Sequence, residues 1–174
     1  MNSACESCRS PEVTENCEAC QKALCSDCVL NPEPGAFQLM PKIPSKLSHQ
    51  KYCRFCFDET VQPAYEKYLE NLEKAKNVNV FYKTQRKGIP LAKGTGRSKL
   101  KFTVEACPDR DETILRLAYQ AAEMDYNGIL DTEVSSEKVR HFGYQTSVWK
   151  GSASPAHIND YLLRLQDQQE QEFR

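Results

Sequence analysis

No stretch of the 174-residue chain approaches the ~18 uninterrupted apolar residues of a membrane-spanning helix, which argues against a transmembrane protein. The opening residues, Met-Asn-Ser-Ala-Cys-Glu-Ser-Cys, lack the basic and apolar regions of a secretory signal, so a cytoplasmic chain is expected. Histidine is scarce. His49, His141 and His157 are the only three, and their spacing pairs no base with a nucleophile. The net charge of −1 gives no bulk basic excess that would announce nucleic acid.

Cysteine is what the sequence has. Eight of nine cysteines fall in the first 56 residues as four Cys-x-x-Cys pairs: Cys5/Cys8, Cys17/Cys20, Cys25/Cys28 and Cys53/Cys56. Such a knuckle turns two thiolates toward one point, and two knuckles complete the tetrahedral S4 shell that Zn²⁺ takes at roughly 2.3 Å per bond. Four knuckles therefore predict two zinc ions per chain. A disulfide framework would suit a secreted chain with an even cysteine count. An iron–sulfur site would want a tight Cys-x2-Cys-x2-Cys run, and a thioredoxin-like motif one pair after a strand.

The gaps between successive pairs are eight, four and twenty-four residues. Only Gln21-Lys22-Ala23-Leu24 separates the second and third knuckles, a link of about 13 Å when extended, which suits two neighbouring ions in an interleaved arrangement. Interleaving would put Cys5, Cys8, Cys25 and Cys28 on one ion and Cys17, Cys20, Cys53 and Cys56 on the other. Sequential ribbons, first pair with second and third with fourth, are the alternative.

The order of these pairs resembles the FYVE-type and related cross-brace, treble-clef zinc fingers, whose metals interleave in that way. The four-residue centre differs from the RING spacing on which a ubiquitin-ligase-like role would rest. "CEACQKALCSDCV", Cys17 to Val29, is also similar to the middle of a B-box finger, although Cys53 and Cys56 stand where a B-box has histidines. The resemblance implies fold and metal. It does not extend to phosphoinositide binding, because Val13-Thr14-Glu15-Asn16 precedes Cys17 where lipid-binding members resemble one another in a basic run. The zinc module is expected to present a protein-binding face, with the loop Leu30 to Gln50 as candidate through its four prolines, Phe37, Leu39, Met40, Ile43 and Leu47. Those apolar residues could equally pack on the finger.

From Pro63 the pattern becomes helical, with Tyr65, Tyr68, Leu69, Leu72 and Ala75 on one face. Val78 to Thr84 and the alternation around Phe102 and Val104 read as strands. Asp109 and Glu112 form a capping box for a helix through Met124 that Asn127-Gly128 would end. Ile129 to Val134 and Tyr144 to Trp149 read as two further strands, and Ser154-Pro155 as the opening of a last helix whose apolar side holds Ile158, Tyr161, Leu162 and Leu165. The expected class is α+β: a two-zinc cross-brace finger at 1–60, a helical connector at 61–77, and a two-layer α+β domain at 78–174 with an antiparallel or mixed sheet. The stretch "LRLAYQAAEMDYNGILDTEV" through "GYQTSVWKGSASPA" resembles the small strand-helix-strand-strand domains of dodecins and of a bacterial family labelled heavy-metal-binding, a likeness that implies assembly into rings. Cys107, His141 and His157 stand far apart in sequence and suggest no ligand cluster. Open edges on so small a sheet could pair with another copy.

Charge is sorted along the chain. Residues 74–101 hold nine bases and no acid, whereas 105–174 hold thirteen acids and seven bases. Lys83, Arg86, Lys87, Lys93, Arg97 and Lys99 are therefore the candidate anion-binding residues, for nucleic acid or an anionic membrane, with the glycines of "KGTGRSK" able to cradle a phosphate. The loop is not a Walker A sequence. The competing reading is a solvated loop that pairs with the acidic remainder, and it is favoured. Eight thiolates close both metal shells, so no catalytic residues are assigned. The sequence thus points to a non-enzymatic zinc-binding adaptor with an unknown protein partner and a C-terminal domain that could oligomerise.

Overall fold

The computed structural model describes residues 4–84, 88–93, 95, 98–141 and 144–172. The fold mixes helix and sheet and divides into two compact units, Met1–Glu70 and Asn71–Arg174.

The first unit holds little regular structure. Strands β1 (Glu15–Asn16) and β2 (Ala23–Leu24) pair antiparallel, and the second knuckle occupies the turn between them. Ser26–Cys28 forms a 3₁₀ turn. A short helix α1 (Arg54–Cys56) leaves the fourth knuckle and continues through one wide π turn, Phe57–Val61, into α2 (Gln62–Lys76). Helical structure thus begins well before Pro63, where the sequence pattern would start it. The ring at Pro63 removes a donor and crowds the preceding turn, and the adjacent π turn, in which the Gln62 amide donates to the Phe57 carbonyl, gives it room.

A loop from 31 to 51 is closed at its base by reciprocal backbone bonds of 2.9 Å between Leu30 and Tyr52. Its apolar residues divide. Phe37 and Leu39 are buried, and Phe37 meets the edges of Tyr68 at 5.5 Å and Tyr65 at 5.8 Å from α2, while Ile43 stays exposed. The Tyr65 hydroxyl donates to Glu33 at 2.6 Å, and the Tyr52 hydroxyl donates to the Lys46 carbonyl at 2.9 Å.

The second unit is a four-stranded mixed sheet in the order β3 (Asn79–Tyr82), β5 (Gly128–His141), β6 (Tyr144–Ala156), β4 (Phe102–Cys107). β3 runs parallel to β5, and the other pairings are antiparallel. Helix α3 (Arg110–Glu123) packs on β4, β5 and β6 through Leu117, Ala118, Ala121 and Ala122. Gly151 makes that approach close: a Cβ there would lie 2.7 Å from Thr113 Cγ2 and 3.2 Å from Leu117 Cδ1. A smaller cluster of Leu130, Ala156 and Ile158 takes Phe81, Ile89, Leu91 and Leu163 against it.

Asp109 caps α3, its carboxylate accepting from the Glu112 amide at 2.7 Å. The reciprocal half of the expected box is not used, because Glu112 accepts from Arg116 at 2.6 Å instead. α3 stops at Glu123 rather than at Asn127, with Asp125 in the left-handed region (φ 59°). Asn127 is engaged elsewhere, accepting from the Ile158 amide at 2.7 Å and donating to Asp160 at 3.1 Å.

The hairpin is longer than hydrophobic alternation suggests, and Ser154-Pro155 lies in β6 rather than at a helix start. Pro155 pairs in register with Ile129, and β4 accompanies β6 only as far as Ala153. The missing N–H therefore sits where β6 has become an edge. The last helix, α4, spans Asp160–Glu172, and Tyr161, Leu162 and Leu165 on it are exposed.

Candidate metal centres

Each knuckle is a tight turn whose second sulfur swings back toward the first. In the first, the Arg9 amide donates to the Cys5 carbonyl at 2.8 Å, and in the second the Gln21 amide donates to that of Cys17 at 2.8 Å. Arg9 and Gln21, each just after a knuckle, both take φ 63°. Equivalent left-handed residues after two unrelated turns indicate one local solution for aiming paired sulfurs. The third knuckle lies in the 3₁₀ turn, its Cys28 amide donating to the Cys25 carbonyl at 3.1 Å. At the fourth, the Cys53 sulfur accepts from the Cys56 amide at 3.4 Å and so caps α1.

The four knuckles converge in alternation. The sulfurs of Cys5, Cys8, Cys25 and Cys28 lie within 4.8 Å of one another, and so do those of Cys17, Cys20, Cys53 and Cys56. Cys8 and Cys25 stand 3.5 Å apart across the first group, and Cys20 and Cys53 3.8 Å apart across the second. A tetrahedron with 2.3 Å metal–sulfur bonds has an edge of about 3.8 Å, whereas a disulfide is about 2.05 Å. The separations therefore match a shared metal ion, and all nine cysteines are free of disulfides.

Burial repeats between the groups. In each, the first and third cysteines in chain order are buried, the fourth is half-buried, and the second, Cys8 or Cys20, is exposed. Leu24, fully buried, joins the buried cysteines in one core cluster flanked by Val13 and Val29. Surrounding bonds brace this core. The Glu6 amide reaches the Ala23 carbonyl at 2.9 Å, the Glu18 amide that of Lys51 at 2.9 Å, and Lys51 Nζ the Glu15 carboxylate at 2.6 Å. Glu15 accordingly raises the Lys51 ammonium above the usual lysine range.

The thiols are electrostatically divided. The Cys8 backbone amide beside its sulfur holds Cys5 down at about 6. At Cys17 burial pushes upward, but the amides of Cys53, Cys20 and Ala19 prevail and hold it at about 7. Cys28, crowded first by the Cys25 sulfur and then by Cys8, is pushed up to about 12, and Cys56 rises through burial and then the Cys20 sulfur. A cation shared by each group would offset the crowding and burial that raise Cys28 and Cys56. This donor set fits a soft-ligand dication, and each group could hold one metal ion.

Among the described residues no third group of three or more metal-ligating side chains converges. Cys107 is buried with its sulfur 3.7 Å from the Glu105 carbonyl, and His157 lies against the Tyr126 ring at 4.6 Å.

The basic candidates are placed only in part. Lys83 donates to Glu133 at 2.7 Å, while Lys93 and Lys99 are exposed. Arg86, Lys87 and Arg97, with Gly94 and Gly96, lie outside the described residues. Within the same segment, Lys74 pairs with Asp125 at 3.4 Å and Lys76 pairs with Glu73. Acids distant in sequence therefore meet Lys74 and Lys83, which charge counting by segment could not show.

Two grooves also stand out, the first on the loop whose apolar residues made it the expected binding face. One, of about 480 Å³, runs along the long loop between Pro32, Phe37, Ile43, Leu47 and His49. The other, of about 790 Å³, lies on the second unit's sheet among Lys83, Lys101, Thr103, Glu133 and Lys150. The chain matches no protein-family model, no curated protein and no solved structure. No described helix is long and apolar enough to cross a membrane.

Proposed function

We propose that the first unit is a two-zinc, cross-brace finger of treble-clef type, and that it acts as the recognition module of a non-enzymatic cytoplasmic adaptor whose second unit self-associates. The alternating convergence of the four knuckles carries this reading: it ties residue 5 to residue 28 and residue 17 to residue 56 through two S4 shells. Zinc is the metal of choice because four thiolates in tetrahedral array suit a d¹⁰ ion that needs no redox partner. Both shells would be closed by protein sulfur, with no open position for substrate. The presented face is the groove of the long loop, where Ile43 at 38% exposed is an apolar contact that the finger's own core leaves uncovered, as Phe55 within the fourth knuckle also is. A self-associating second unit would multiply weak contacts into avidity.

The test combines metal analysis with partner mapping on the full chain. Native mass spectrometry of protein purified without added metal should give two zincs per chain, and one or none in folded protein sinks the finger. Proximity labelling in cells should then give a neighbour set that Ile43→Asp loses while both zincs are kept. Identical sets from wild type and variant would remove the recognition role from this groove.

A further inference from the structure

The β5–β6 hairpin outruns the sheet that supports it. β3 ends opposite Thr132, and β4 ends with Cys107 opposite Trp149. Beyond these points five cross-strand pairs, from Glu137↔Val148 to His141↔Tyr144, form a two-stranded ribbon about 17 Å long at ~3.4 Å per residue. Such a ribbon is marginally stable alone in water, and both its outer edges carry backbone groups that no described strand meets.

The free edges are not alike. The β5 side of the ribbon carries Glu137, Lys138 and Arg140, charges that discourage pairing. β4 carries Glu105 and is kinked at Ala106, where φ is 56° and the register shifts. β3 offers only four residues. The β6 side, Tyr144 to Val148, has no charge, no proline and no glycine, and Gln145, Thr146 and Ser147 on it are exposed.

This edge is also self-complementary. An antiparallel two-fold pairing centred on Thr146 sets Thr146 against its own copy, Gln145 against Ser147, and Tyr144 level with Val148. Opposed residues stay on matching faces of the pleat. Hydroxyl meets hydroxyl, amide meets hydroxyl, and no charge is opposed to any other.

We infer that a second copy of this chain docks along Tyr144–Val148 of β6, joining two four-stranded sheets into one continuous sheet across a two-fold axis at Thr146. This deepens, and rests on, the proposal that the second unit self-associates.

The experiment is sedimentation and native mass measurement of the full zinc-loaded chain, wild type and with Thr146→Lys or Thr146→Glu. Wild type should have twice the chain mass, and each variant alone the single mass, because the two-fold axis sets like charges face to face. An equimolar mixture of the two variants should recover the doubled mass, since lysine then faces glutamate. A wild type of single-chain mass overturns self-association and this edge together. An assembly unchanged by Thr146→Lys leaves self-association standing and overturns the edge, and failure of the mixture to recover the doubled mass overturns the register.

Discussion

At the scale of single residues, the ligands and a few strained or paired positions decide behaviour. Cys25 is buried in the first sulfur group and belongs to the core cluster that also contains Cys17 and Cys53. Replacing it with serine should release one metal, and native mass spectrometry should show the loss, because a hydroxyl stays protonated where a thiolate is needed. Ala106 holds φ 56° with no polar side chain to compensate, a conformation that costs an L-residue roughly 1–2 kcal/mol. Ala106→Gly should leave the second unit unchanged or stabilise it by up to about 1 kcal/mol in a urea melt followed by Trp149, the sole tryptophan. Lys83, by donating to Glu133, holds that carboxyl below the usual glutamate range, and Glu133 raises the Lys83 ammonium in return. The pair therefore contributes above the ordinary glutamate value and is lost as pH falls through the depressed one. A carboxyl NMR titration should show Glu133 returning toward the ordinary value in Lys83→Met.

At the scale of elements, local signals and long-range pairing part company. The Asp109 cap was legible because an acid before a helical pattern satisfies an orphan amide wherever the helix packs. Asp109→Ala should cost about 1 kcal/mol of second-unit stability in the same urea melt. Helix α2 was legible as a helix from its period, yet its continuity back through the π turn to α1 at the fourth knuckle was not, since the π turn before Pro63 leaves no mark in the hydrophobic pattern. The hairpin was half legible. Its charged and hydroxylic outer half, Ser135 to Arg140, shows no apolar alternation and is strand only because β6 lies alongside. Gly151 has a purpose that only packing reveals: Gly151→Val would drive methyls into Thr113 and Leu117 and should destabilise the second unit by roughly 1–3 kcal/mol.

On the scale of the whole molecule, the two units owe their order to different sources. Residues 4–70 bury few large apolar side chains outside the Phe37–Tyr68 and Leu24 clusters, so metal binding should supply much of their folding free energy. The second unit has its own sheet-on-helix core around Leu117, Ile129 and Tyr119. A zinc chelator should therefore remove hydrogen-exchange protection from β1, β2 and the knuckles while leaving it in α3 and in β5 next to α3. Protection lost throughout the chain would show that the second unit depends on the first.

The sequence by itself singled out the eight cysteines of the first unit, because two cysteines separated by two residues can aim both sulfurs at a common point and this chain has four such pairs. It likewise determined the existence of α2, α3 and the strands with apolar alternation, which follow from side-chain periods of 3.6 and 2 along a short length of chain. Only the tertiary structure decided which knuckles share a centre, that Glu133 meets Lys83, that Pro155 sits in a strand, and where the hairpin outruns its neighbours. Each of those depends on segments distant in sequence arriving side by side, and spacing along the chain narrows the choice of neighbour, as it did for the knuckles, without fixing it.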